Sequence, residues 1–139
     1  MLTDNFLLAL LLASLFLNLS IFLSRVTARA LKVNQSLPAE IFKLKGTSLS
    51  EVWELVLQAE LWEVVLPIFV YSLIYSYLPS SGIKSGLWLG LVIFILGTLP
   101  NVIDLGNTLK LPLSVWLHQL VWRLIRTFLV FGTFGYFFN

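Results

Sequence analysis

Two arginines, Arg123 and Arg126, stand inside the stretch Leu113 to Phe138, which is otherwise mostly aliphatic and aromatic. Twelve residues, Thr127 to Phe138, lie between Arg126 and Asn139. At 1.5 Å of rise per residue they make roughly 18 Å of helix, short of the ~30 Å hydrocarbon layer of a bilayer. Both arginines are therefore expected within a membrane-spanning helix. An arginine at the centre of such a helix costs roughly 2.5–3.5 kcal/mol on insertion scales, so it calls for a counter-charge, water or an anionic ligand. At 100° per residue, Gln119, Arg123 and Arg126 fall within about 60° of one another, flanked by Trp122, Thr127 and Thr133. That face is expected to point into a bundle or a complex.

The acidic residues that could answer it are Glu60, Glu63 and Asp104. A pairing of Glu63 with Arg123 or Arg126 is the first expectation. It has two readings: a salt bridge that fixes helix orientation, or a site for an anionic lipid, a substrate or a proton. Intramembrane charges raise the second as a matter of course. His118 lies at the edge of the same face. A histidine there could ligate a haem or chlorophyll metal, but the chain has no second histidine to complete a bis-histidine site, and a hydrogen-bonded packing role is the simpler reading. Apart from that tetrapyrrole alternative no cofactor is expected. With no cysteine there are no disulfides and no thiolate metal site, and no zinc constellation is present.

Catalytic motifs are missing. There is no nucleophile elbow, phosphate loop, zinc-protease helix or dinucleotide fingerprint. Glu51, Glu54, Glu60 and Glu63 are close in sequence, yet helical geometry divides them between two faces. The chain is not expected to be an enzyme. Its basic residues are scattered and interleaved with acids, so nucleic acid is not an expected partner.

The elements that must carry these residues follow from composition. Of 139 residues 58% are hydrophobic and 12% charged, against about 25% charged in ordinary soluble domains. Mean hydropathy is +0.92. A chain this short cannot hide so much apolar surface in one globular core, which leaves lipid to cover it. The fold class expected is an all-α integral membrane protein, a single domain with about four transmembrane helices at about 6–24, 61–78, 83–99 and 113–138. The connection 25–60 carries nine of the sixteen charged residues. Arg25, Arg29 and Lys32 share one helical face just past the first apolar run. Ala28, Arg29 and Ala30 resemble a signal-cleavage site, but the cations follow the run instead of preceding it, which reads as a stop.

Between Ser36 and Gly46 the sequence predicts a short amphipathic helix lying in the membrane interface. Ser48 and Glu51 form a capping box that opens the second long helix, and Pro67 is expected to kink it. Pro79 to Gly82 reads as a turn, Pro100 as the end of the third helix, and Asn101 to Pro112 as a loop or interfacial segment. Gly82, Gly86, Gly90 and Gly97 form a stripe on the third helix along which another helix can come close. Its partner, by sequence, is open: the fourth helix with Gly132 and Gly135, a second copy or another protein. Trp53, Trp62 and Trp116 suit interfacial anchoring.

The expected function is an accessory or structural subunit of a larger membrane complex, packing through the glycine stripe and the arginine face. The alternative is a small oligomeric transporter, channel or anionic-lipid or ligand-binding bundle centred on that face. A third is a pigment- or haem-carrying subunit through His118. Partners are membrane lipids together with other membrane subunits or further copies of the chain.

Lys and Arg concentrate in the first connection and recur at Lys110 in the third, which places both in the cytoplasm of a bacterial-type inner or an internal membrane, with both termini outside. Because the chain has no cysteine, single cysteines report this directly. A membrane-impermeant maleimide added to intact cells should label Asn5→Cys and Tyr136→Cys and spare Gln35→Cys; the inverse pattern would contradict the orientation.

Overall fold

The structure is a computed structural model and describes residues 2–33, 35, 37 and 48–138. Among the described residues all regular structure is helical. Four helices are long and apolar enough to cross a membrane: α1 (Leu2–Ala30), α2 (Leu49–Tyr77), α3 (Ile83–Thr108) and α4 (Leu113–Phe137). The expected interfacial helix between Ser36 and Gly46 lies outside the described residues.

In α1 the buried positions are Ala9, Ala13, Leu17 and Ser20, spaced to form one face, whereas Leu7, Leu11, Leu15, Leu19 and Phe22 are exposed. Apart from Leu17, small side chains therefore face the bundle, and the large apolar ones named face away from it. Water would reverse this arrangement; lipid favours it, because close backbone approach and not hydrophobic exclusion holds helices together there. The helix ends where Lys32 turns left-handed, at φ 53°. The Val33 N–H then donates to the Ala28 carbonyl at 3.0 Å and the Lys32 N–H to Arg29 at 3.2 Å, a Schellman closure. Lys32 thus lies beyond the helix and does not continue the face of Arg25 and Arg29. Residues 28–30 form the last turn of α1.

Ser48 caps α2 as expected, its hydroxyl accepting from the Glu51 N–H at 3.3 Å. Pro67 neither ends the helix nor stands alone. The preceding turn, Leu61–Val65, is a π turn, closed by the Leu66 N–H on the Leu61 carbonyl. A proline ring crowds the carbonyl four residues back, here that of Glu63, and a widened turn makes room for it. The same device recurs in α3, where the π turn Phe94–Thr98 precedes Pro100. It carries the helix through to Thr108, so the expected stop at Pro100 is overturned and Asn101 to Thr108 is helical. α3 closes like α1, with Lys110 left-handed at φ 50° and the Leu111 N–H on the Gly106 carbonyl at 2.9 Å.

α4 is the central element and packs against both α1 and α3. The main core joins Ala9, Ala13 and Leu17 of α1, Val64, Ile68 and Tyr71 of α2, and Val130, Phe131 and Phe134 of α4. A smaller cluster of Phe94, Val102 and Leu120 is covered by Trp116. That indole rests on Gly106, 3.1 Å from where a Cβ would stand, so Trp116 is a packing residue of the α3–α4 seam and not only an interfacial anchor.

Most of the glycine stripe meets the chain's own fourth helix. A Cβ on Gly86 would collide with the Phe131 carbonyl, and one on Gly135 would come within 2.5 Å of the Gly82 carbonyl. Gly82 itself adopts φ 67°, which favours glycine. Gly90 packs on Phe131, whereas a Cβ on Gly97 would meet nothing within 4 Å. Gly86→Ala and Gly135→Ala should each lower stability by about 1–3 kcal/mol, the usual cost of overpacking, and Gly97→Ala should be near neutral. Thermal unfolding in detergent checks this; equal tolerance at all three positions would contradict the close approach.

Candidate functional site

The π turn of α2 presents Glu63 toward α4, where it meets Arg126 and not Arg123. The Arg126 Nη1 donates to both carboxylate oxygens of Glu63, at 3.0 and 3.1 Å. Arg126 Nε donates to Ser20 Oγ of α1 at 3.2 Å, and that buried hydroxyl donates in turn to the Leu17 carbonyl at 2.7 Å. One guanidinium therefore joins three helices. Its side chain is the better covered of the pair, 14% exposed against 39% for Glu63. In a low dielectric, an attraction held this close is strong and the loss of either partner is costly.

Glu60 is engaged elsewhere. Ser14 Oγ donates to its Oε2 at 2.7 Å and Asn18 Nδ2 to its Oε1 at 2.5 Å. Asn18 also reaches the Ser14 carbonyl at 2.9 Å. Glu60 is thus a hydrogen-bonded tie between α2 and α1, not a partner of the arginines. Asp104 is exposed near the end of α3, without an ion pair among the described residues. Gln119 is half-buried on α4 and outside the cleft described next. The expected charge cluster is accordingly narrower than its sequence outline: Glu63 and Arg126 pair, Arg123 adjoins them, and Glu60, Asp104 and Gln119 stand apart.

Arg123 is exposed and has no ion-pair partner among the described residues. It lines a cleft of about 550 Å³ between α2 and α3, floored by α4. Trp62, Glu63, Thr98 and Arg126 make its polar part, and Leu66, Val70, Ile74, Leu89 and Ile93 its apolar walls. Tyr71 also lines it and ties α2 to α3, its hydroxyl 2.5 Å from Ser85 Oγ. Because Ser85 gives its proton to the Gly82 carbonyl at 2.9 Å, Tyr71 is the donor. The indole of Trp62 belongs to this cleft, which sequence patterning assigned to an interface.

His118 is half-buried and stands 3.0 Å from Thr27 Oγ1 of α1. The Thr27 hydroxyl spends its proton on the Ser24 carbonyl at 3.0 Å, so His118 Nε2 carries the hydrogen and donates. That bond makes His118 a tie between α4 and α1. Among the described residues no group of three or more His, Asp or Glu side chains could hold a metal.

Ser14, Asn18, Ser20 and Thr27 are the site residues that sequence reading passed over. Their signal was their placement, the polar interruptions of an otherwise apolar first helix. No protein-family model matches the chain, and neither curated proteins nor solved structures provide a similar one.

Asn18→Leu should leave the Glu60 carboxylate short of a donor and lower stability by about 1–3 kcal/mol. Adding Glu60→Leu should recover part of that loss, because the unpaired group is then gone. Denaturant unfolding in mixed micelles reads both; an Asn18→Leu variant as stable as the parent would contradict the tie.

Proposed function

We propose that the chain is a small intramembrane binding protein whose α2–α3 cleft takes an anionic ligand on Arg123. One observation carries this reading: of the two arginines near the middle of α4, only Arg126 has a carboxylate partner among the described residues. An uncompensated guanidinium is expensive in hydrocarbon, and a bound anion lowers that cost. The cleft is also within the range of small-ligand sites, roughly 300–1,000 Å³, with apolar walls and few polar groups. In this reading the protein sits in a bacterial-type inner or an internal membrane, with both termini outside and Arg123 directed toward the cytoplasmic face.

The accessory-subunit reading keeps one specific support. Gly97, Asn101 and Asp104 share a face of α3, all exposed, and Gly97 meets nothing within 4 Å. Such a strip could seat a helix of another subunit. The remaining stripe no longer argues for a partner, since Gly82, Gly86 and Gly90 are covered by α4.

Octanoate, an anion small enough to stay monomeric in solution, is a suitable probe. Calorimetric titration of the detergent-solubilised protein should show one site, weakened roughly ten- to a hundredfold in Arg123→Gln, the loss expected for a hydrogen bond between charged groups. Binding that is absent, or unchanged in that variant, would contradict the proposal.

A further inference from the structure

We infer that the resident occupant of the cleft is a monoanionic bilayer lipid, its phosphate on Arg123 and one acyl chain laid between α2 and α3. This rests on the binding role proposed above and names its ligand class.

The charge count comes first. Glu63 offsets Arg126 at 3.0 Å, which leaves the single positive charge of Arg123 in the cleft. A phosphodiester headgroup carries one negative charge and matches it. The neighbours suit a phosphate as well: Trp62 and Thr98 line the same cleft, and neither the indole N–H nor the hydroxyl has a hydrogen-bond partner among the described residues. Tryptophan is the residue that sits where hydrocarbon meets headgroup.

The walls then separate a lipid from a water-soluble anion. Leu66, Val70, Ile74, Leu89 and Ile93 extend from the charged part of the cleft along α2 and α3. A small hydrophilic anion would leave that surface unused, whereas a hydrocarbon chain fills it with dispersion contacts. Cα–Cβ bonds tilt toward a helix's N-terminus, so Arg123 leans toward the start of α4. It can therefore hold a headgroup nearer that membrane face while the chain runs inward.

Access follows from exposure. Trp62 is 66% exposed, and Leu66, Val70 and Ile93 are exposed as well. The cleft thus opens sideways, onto the surface that a bilayer would cover, and a lipid could enter from its own leaflet without crossing water. Arg126 could not serve in this way, because its guanidinium is committed to Glu63 and Ser20.

The test uses the full chain in nanodiscs of equal phosphatidylcholine and phosphatidylglycerol, released into native mass spectrometry. The parent should retain one phosphatidylglycerol in preference to phosphatidylcholine by about fivefold, the bias that one cation near an anionic headgroup confers. Arg123→Gln should abolish the preference. Val70→Trp, a substitution at an exposed wall position that leaves all three charges in place, should lower lipid retention by blocking the chain's path. Lys84→Gln, outside the cleft, should change nothing. A parent without preference, a preference that survives Arg123→Gln, or a lipid retention unchanged in Val70→Trp overturns the inference. If octanoate binds through Arg123 while phosphatidylglycerol is not preferred, the cleft serves free acids and only the lipid assignment falls. If neither binds, both readings fall.

Discussion

An arginine within a helix long and apolar enough to cross a membrane calls for a counter-charge, and for Arg126 the Glu63 carboxylate at 3.0 Å supplies it. The contact draws on three helices at once. α4 supplies the guanidinium, α2 the carboxylate, and α1 the Ser20 hydroxyl that accepts the remaining Nε hydrogen at 3.2 Å. The contribution of α2 depends on its π turn, Leu61–Val65, which holds Glu63 one turn before Pro67. A proline would ordinarily cost a helix its local geometry. Here the widened turn absorbs it and places a carboxylate at that level.

Around this pair the helices divide two tasks by side-chain size. Where backbones come closest the residues are small, Ala9 and Ala13 in α1 and Gly82, Gly86 and Gly135 between α3 and α4, while Leu17, Ile68, Tyr71 and Phe134 fill the wider spaces between helices. Where the bundle ends, leucines and aromatics point outward. Such a surface would drive aggregation in water and is unremarkable in lipid. Polar ties supplement the packing at separate levels, Glu60 to Ser14 and Asn18, His118 to Thr27, and Tyr71 to Ser85. A helix that crosses a bilayer offers its polar groups no water as an alternative partner, and these pairings within the chain meet that requirement. Arg123, near the middle of α4, has no ion-pair partner among the described residues, and the functional reading grows from that difference.

Much of this was legible in the chain's residues. The four long apolar helices followed from hydropathy and the cap at Ser48 from its spacing to Glu51. What escaped depended on distances between helices. Sequence could not choose between Arg123 and Arg126, because both share a face and only the approach of α2 separates them. It treated Pro100 as a stop because a π turn has no residue signature, although Leu99–Thr108 continues the helix. It gave Glu60 to the arginines, since the polar interruptions of α1 that bind it are nearly fifty residues away. The glycine stripe was visible, but its partner was not: a stripe fixes how close a neighbour can come and leaves its identity open.

Glu63 neutralises Arg126, and Arg123 has no carboxylate partner among the described residues. A pair of double-mutant cycles in lipid bicelles, Glu63 with Arg126 and Glu63 with Arg123, tests this pairing most directly, with each charged residue replaced by its neutral glutamine counterpart. Contacting residues couple by about 0.5–3 kcal/mol. Glu63 and Arg126 should couple in that range, and Glu63 and Arg123 clearly less. A larger coupling to Arg123 would contradict the pairing and would move the free charge, and with it the ligand, to Arg126.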